Sequence, residues 1–270
     1  MKDDIHIKEI ISFSKEIRKK IIQMSLKAGS ASAHIGGALS IADIVSVLFK
    51  YQMKNFDKSI ERDRFILSKG HAGAAVYAVL AELGFFSKEI LDTHYQDGSI
   101  LSGHVSHKGV PGVEFSTGSL GHGLSVASGF ALAAKRKSLN FKSYALLSDG
   151  ELDEGSNWEA ILFAPHHNLD NLTCIVDYNK LQSLTSVKET LNLEPLKDKI
   201  TSFGWNVIDI DGHNHDDLRK SINKSTSKPK FIIANTIKGK GISFMENKVV
   251  WHYKSANEEE LEKGLNELEE

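Results

Sequence analysis

Apolar residues recur at three- and four-residue steps between residues 8 and 28, where Ile10, Ile11, Ile17, Ile21, Ile22 and Leu26 mark one face of a helix. Gly29 follows as its left-handed cap. The stretch 40–49, SIADIVSVLF, predicts a second helix, and 71–84, HAGAAVYAVLAELG, a third that also ends on glycine. RFILSKG (64–70) reads as a short strand running into a glycine turn. GHGLSVASGFALAAKRK (121–137) is a helix of small residues suited to close packing. From there the pattern alternates. The apolar runs YALLS (144–148), LTCIVDY (172–178), WNVIDI (205–210) and KFIIANT (230–236) predict strands, and NWEAILFAPHH (157–167) and HDDLRKSINKS (215–225) the helices among them. β-rich runs separated by helix-length segments predict a mostly parallel central sheet with helices on both faces. In such a sheet, ligands bind beyond the carboxyl ends of the strands.

The rest of the chain changes this picture little. Residues 97–120 form a long loop, and the acidic stretch 253–270 reads as a surface helix or tail. No repeat or low-complexity linker divides the 270 residues, so a single domain over 1–270 is expected. With 33 basic and 35 acidic side chains, no large net charge points to nucleic acid or an anionic membrane. No run approaches the ~20 apolar residues of a membrane span, and the amino terminus has no signal-peptide core. The single cysteine, Cys174, lies in an apolar run and reads as a small core residue of a soluble, cytoplasmic protein.

The candidate chemistry begins where strands end. Asp149 and Gly150 follow YALLS, and Asn179 closes the strand thirty residues later. Were the two strands neighbours, a carboxylate and an amide oxygen would meet at one edge. That is an oxygen-only set suited to Mg²⁺, which takes one or two protein side chains and completes its shell with phosphate oxygens and water. Gly150 would let a diphosphate approach the backbone. Read by spacing alone, the same residues also fit a plain Asx turn and an ordinary strand end. Zinc is the competing use of the histidines, but no His-x-x-x-His helix exists and they lie in separate loops. His166, His167, His213 and His215 read as surface or turn residues. The loop IKGKGIS (237–243) lacks the spacing of a nucleotide phosphate loop, leaving Lys240 either solvated or near a phosphate.

Six segments occur in the order, and at roughly the distances, of the amino-terminal half of transketolase. They are SASAHIGGALSIADI, DRFILSKGHAGAAVYAVLAELG, STGSLGHGLSVASGFALAAK, SDGELDEGSNWEA, DYNKLQS and KGKGISFMENKVVWH. SDG with the later DYN resembles the thiamine-diphosphate fingerprint, with Ser148 in place of its first glycine and Tyr178 in place of its first asparagine. The resemblance covers essentially the whole chain. It implies that Asp149, Asn179 and the main-chain carbonyl of Leu181 hold Mg²⁺, with Ca²⁺ or Mn²⁺ able to substitute. Gly118, Ser119, Leu120, Gly150 and Glu151 would lie on the cofactor side. His71 would contact the diphosphate, and His252 both diphosphate and substrate. His34 and His104 would face the hydroxyls of a sugar or sugar phosphate.

In the transketolase family the glutamate that activates the cofactor sits on a separate pyrimidine-binding domain. Nothing after residue 252 is long enough to form one. The resemblance therefore implies a split enzyme that needs a carboxy-terminal subunit carrying the pyrimidine-binding and third domains, as a heterotetramer with two copies of each chain. Glu154 aligns with a family glutamate that reaches across the domain interface toward the activating glutamate, in a proton relay between two active sites. Glu151 and Asp153 have no part in that relay and, by position, read as solvated or capping residues. The expected activity is transfer of a two-carbon ketol unit from a ketose to an aldose, with pentose-phosphate sugars as the default and branched or sulfonated ketoses as alternatives. Two rivals are the α subunit of a 2-oxo acid dehydrogenase and a cofactor-binding homologue without turnover.

Overall fold

The computed structural model describes residues 2–29, 31, 33–54 and 59–269, with side chains from residue 7 onward. Ser30 and Ser32 of the SASAHIGG segment lie outside the described residues. Five strands form one sheet: β1 (Arg64–Leu67), β2 (Ser143–Ser148), β3 (Leu172–Tyr178), β4 (Asn206–Asp211) and β5 (Lys230–Asn235). Their order is β1-β2-β3-β5-β4, and every pair is parallel. Strands β1, β2 and β3 are buried along their whole length, the burial expected where helices cover both faces.

Alternate side chains of each strand feed two separate cores. Tyr144, Leu146, Ile175 and Ile232 pack on one face with α1 (Lys2–Ala28), α3 (Ala42–Val47) and α4 (Gly73–Glu82). Ala145, Leu147, Cys174, Val176 and Ile233 pack on the other with α5 (Gly123–Arg136) and α6 (Gly155–His166). Cys174 is fully buried, and burial pushes its thiol well above the usual range, so it acts as a core residue.

Several boundaries differ from the sequence pattern. The helix expected over 40–49 begins earlier, as α2 (Ile35–Ser40), and resumes as α3 after a break at Ile41. The glycine pair Gly36-Gly37 hides that start, because glycine carries no apolar periodicity. The short helices α7 (Val187–Thr190) and α8 (Leu196–Ser202) have too few apolar positions to register in the pattern. Helix α9 (His215–Asn223) starts on an Asn214 cap, whose side chain accepts from the amides of Asp216 and Asp217. The acidic carboxy-terminal stretch forms α10 (Glu258–Glu269), packed on α1. Gly264 allows that contact, since a Cβ there would sit 2.4 Å from Ile22 Cδ1.

Candidate active site

Four strands deliver polar residues to one cleft at their carboxyl ends. β1 runs into Lys69 and His71, β2 into Asp149 and Gly150, β3 into Asn179 and Leu181, and β5 into Lys238. The register sets Ser148 beside Asp177 and Asp177 beside Ala234, so these turns leave the sheet at one level. The cleft has an empty volume of about 760 Å³ including its open mouth. His34, His104 and His252 reach it from outside the sheet.

Asp177 is the buried anchor of this edge. Its carboxylate takes the Lys69 ammonium, the Ser40 hydroxyl at 2.6 Å, the Thr236 hydroxyl and Asn179 Nδ2 at 3.0 Å. Burial alone would raise its pKa, but Lys69 and these donors outweigh burial and hold it below the usual carboxylate range. Because Asn179 gives its NH₂ to Asp177, its carbonyl oxygen must face the other way, where it accepts from Leu181 N at 3.0 Å. Asp177 thereby fixes which end of the amide the cleft receives. The sequence pattern does not single out Asp177, Lys69 or Lys238. The signal for the first two lies in charges set inside or just beyond otherwise apolar strand ends.

Asp149 is almost wholly buried. Its carboxylate accepts from Gly150 N at 2.7 Å and Lys180 N at 2.5 Å. Burial, helped by the nearby Asp177, pushes its pKa up to about 7. A buried carboxylate beside an oriented amide oxygen and the Leu181 carbonyl is a donor set of oxygen atoms alone. That set fits a hard divalent cation, whose charge would bring the carboxylate back to its ionised form. Gly150 is tight against this wall, where a Cβ would lie 3.0 Å from the Gln182 side chain.

The imidazoles form a packed group. Ring centroids of His34 lie 5.3 Å from His71, 5.6 Å from His104 and 5.3 Å from His252. His34 holds a left-handed backbone (φ 47°, ψ 36°) at the start of α2, uncommon for a non-glycine residue and a mark of positions kept for a site. Burial and Lys69 hold His71 well below its ordinary pKa; burial and Lys238 bring His252 down to about 3. Both are therefore neutral near pH 7 and can donate or accept hydrogen bonds to an uncharged polyol or an anion. Lys238 is buried and lowered to about 8, chiefly by burial and then by Lys69. Its ammonium touches the carbonyls of Gln182 at 2.9 Å and Leu181 at 3.2 Å, and His252 Nδ1 at 2.9 Å.

Other sequence expectations need adjustment. Gly118 and Leu120 line the cleft, whereas Ser119 is exposed and forms no part of its wall. Glu151 is fully buried, so it neither faces solvent nor lines the cleft. Its carboxylate takes the Ser68 hydroxyl, Gly121 N at 2.8 Å and Ser148 N at 3.3 Å. It ties the β1, β2 and glycine-loop turns together from beneath, because the tight turn after Gly150 points it inward. Asp153 is half-buried and accepts from Gln182 Nε2 at 2.8 Å. Glu154 is exposed at the N-cap of α6 and makes no capping hydrogen bond. Lys240 turns away from the cleft toward Glu246 at 3.3 Å, and Lys238 is the lysine of this loop that reaches it. His213 and His215 are not surface residues: both imidazoles are largely buried against Asp43.

A parallel α/β sheet with an Asp-Gly turn, a strand-end Asn and a histidine-walled cleft at its carboxyl edge is the architecture of thiamine-diphosphate-binding proteins. The chain belongs to the transketolase family: residues 13–268 match the family model described as "Transketolase, thiamine diphosphate binding domain". It is 40% identical over 263 residues to one subunit of the apulose-4-phosphate transketolase of Phocaeicola vulgatus, covering 95% of this chain and 92% of that one. It is 42% identical over 259 residues to the 6-deoxy-6-sulfo-D-fructose transketolase subunit SqwG of a Clostridium species, covering 94% of each. A solved transketolase from Campylobacter jejuni superposes with a TM-score of 0.88 at 31% identity, over 97% of this chain but 43% of that one. This chain thus spans less than half the length of that transketolase and nearly all of the two subunits. Among the described residues, no helix is long and apolar enough to cross a membrane.

Proposed function

We propose that this chain is the diphosphate-binding subunit of a split, cytoplasmic transketolase that moves a two-carbon ketol unit from a ketose to an aldose. The observation that carries the proposal is the oxygen donor set of Asp149, Asn179 and Leu181, opening onto the same cleft as the four clustered imidazoles. Asp149, Asn179 and the Leu181 carbonyl would hold Mg²⁺. Gly150, His71, His252 and the Lys238 ammonium would take the diphosphate. Thiamine diphosphate held there would supply the nucleophilic carbon that the ketol transfer requires. His34 and His104 would orient the sugar hydroxyls, and His252 stands between the sugar and the diphosphate. The neutral His252 imidazole can both donate to and accept from such hydroxyls.

The family glutamate that activates the cofactor has no counterpart among the described residues of this cleft. The relatives named as transketolase subunits support a partner that provides it; an assembly with two copies of each chain is part of the proposal. Glu154, exposed beside the glycine loop, would face that partner. The relatives named for apulose 4-phosphate and 6-deoxy-6-sulfo-D-fructose favour a branched or sulfonated ketose over an ordinary pentose phosphate.

The test is to combine the chain with its partner, thiamine diphosphate and Mg²⁺, and measure ketol transfer from apulose 4-phosphate, 6-deoxy-6-sulfo-D-fructose and xylulose 5-phosphate. Transfer from none of them, or CO₂ release from pyruvate instead, would overturn the reading. Asp149→Ala should weaken Mg²⁺-dependent cofactor binding about 100-fold or more by calorimetry; unchanged binding removes Asp149 from the site.

A further inference from the structure

Behind the cleft, the chain gathers four donors on one carboxylate that no step above uses. Asp43, in α3, is 3% exposed. Arg18 of α1 meets it with both arms, Nη1 at 3.0 Å and Nη2 at 2.5 Å. His213 Nδ1 lies 2.8 Å and His215 Nε2 3.0 Å from the same carboxylate.

Two of those donors also grip the loop after β5. His213 Nε2 accepts from Ile237 N at 2.9 Å, and Arg18 Nε donates to the Lys240 carbonyl at 3.0 Å. Between these points Gly239 N donates to the Gly36 carbonyl at 2.9 Å. The loop is thus held at residues 237, 239 and 240, while Lys238 projects the other way into the cleft. There is little play, since a Cβ on Gly36 would sit 3.0 Å from the Trp251 carbonyl and 3.1 Å from Lys238 Cγ.

The partners also assign the imidazole. An amide N–H donates to His213 Nε2, so that nitrogen carries no hydrogen, and Nδ1–H must donate to Asp43. Asp43 therefore selects the one neutral tautomer that can accept from Ile237. This is the arrangement by which a carboxylate orients a histidine that itself orients something else.

We propose that His213, oriented by Asp43, is a positioning residue that fixes the loop carrying Lys238 and so sets where its ammonium meets the cofactor diphosphate. The inference rests on the cofactor reading above, and its reach is one peptide unit: Ile237 N is held, and Lys238 is the next residue.

Two substitutions separate this role from simple packing. In His213→Asn the amide NH₂ replaces Nδ1–H and can still serve Asp43, but nothing reaches Ile237. In His213→Gln the longer side chain brings an acceptor to the Nε2 position and can keep Ile237. The chain combined with its partner subunit is titrated with thiamine diphosphate and Mg²⁺ by calorimetry, and amide hydrogen exchange is followed at Ile237. His213→Asn should bind about tenfold more weakly and exchange faster at Ile237, while His213→Gln should stay within about twofold of wild type in both. Wild-type affinity and Ile237 protection in His213→Asn, or equal losses in both variants, would overturn the proposal. If the wild type itself bound no cofactor, the cofactor reading would fail instead. Unchanged Ile237 exchange in His213→Asn would then sink the positioning role independently.

Discussion

The middle of the sheet and its carboxyl edge are made by the same strands, yet they are stabilised by opposite means. Within β2 and β3, Leu146, Leu147, Ile175 and Val176 are buried against helices on both faces, and non-directional burial of apolar surface holds them there. At the end of β3 and just beyond β1 and β2, the same backbone buries Asp177, Lys69, Asp149 and Glu151. Taking such charges out of water opposes folding, and a paired ion such as Lys69–Asp177 seldom recovers more than that penalty. The edge is therefore not built for stability. Its charges hold an oriented Asn179 amide beside the Asp149 carboxylate, and the apolar middle offsets them.

The comparison breaks most sharply at Asp177. Asp177→Ala leaves the Lys69 ammonium buried without its partner and frees Asn179 to turn, so urea unfolding should show a loss of about 3–5 kcal/mol. In the middle of the sheet, Ile232→Val removes one methyl group and should lose about 1 kcal/mol. The sharper contrast is in function. Asp177→Asn with Lys69→Met, which restores neutrality, should recover much of the stability while leaving cofactor binding impaired. Full recovery of binding would show that the pair serves the fold alone.

This division also explains what can be read from the sequence. The strands are legible because their apolar runs are continuous, and the parallel order follows from the helices between them. Asp149 and Asn179 are legible because each sits at the end of such a run. Asp177 is not: inside LTCIVDY it is one polar residue in a strand, and only the register that brings Lys69, Ser40 and Thr236 to it gives it a role. Glu151 reads as solvated because carboxylates in turns usually are. The inward course of that turn, which local pattern does not encode, makes it a brace. His213 and His215 look like turn residues for the same reason, since Asp43 lies 170 residues from His213 in the chain.

His94 provides an ionisable group on the apolar side of the comparison. It is 1% exposed, with its ring 6.0 Å from Tyr77 and 4.7 Å from Tyr95, and burial lowers its pKa from 6.5 to about 4. The unfolded chain thus takes up this proton near pH 6.5 and the folded one only near pH 4. Stability from this residue is intact above 6.5, falls as the pH drops between those values, and reaches its full loss of about 3 kcal/mol below pH 4. His94→Phe should flatten that acid limb in thermal melts from pH 7 to 4. A variant that loses stability with acid as steeply as wild type would place the cause in the other buried imidazoles, His71 and His252, which burial also lowers.

The smallest effect on the fold should come with a clear effect on the cleft at Gly150. A Cβ there meets Gln182 Cγ and Cδ at 3.0 Å, atoms of a flexible side chain that can shift. The residue follows Asp149 with negative φ in a short helical turn, which alanine adopts readily. Gly150→Ala should therefore change unfolding free energy by less than about 1 kcal/mol. The added methyl group, together with a displaced Gln182, stands where the proposed diphosphate would approach the backbone, so on that reading cofactor affinity should fall about tenfold. A large loss of stability with unchanged affinity would reverse the contrast, making the edge a part of the fold's support and not a surface kept clear for a ligand.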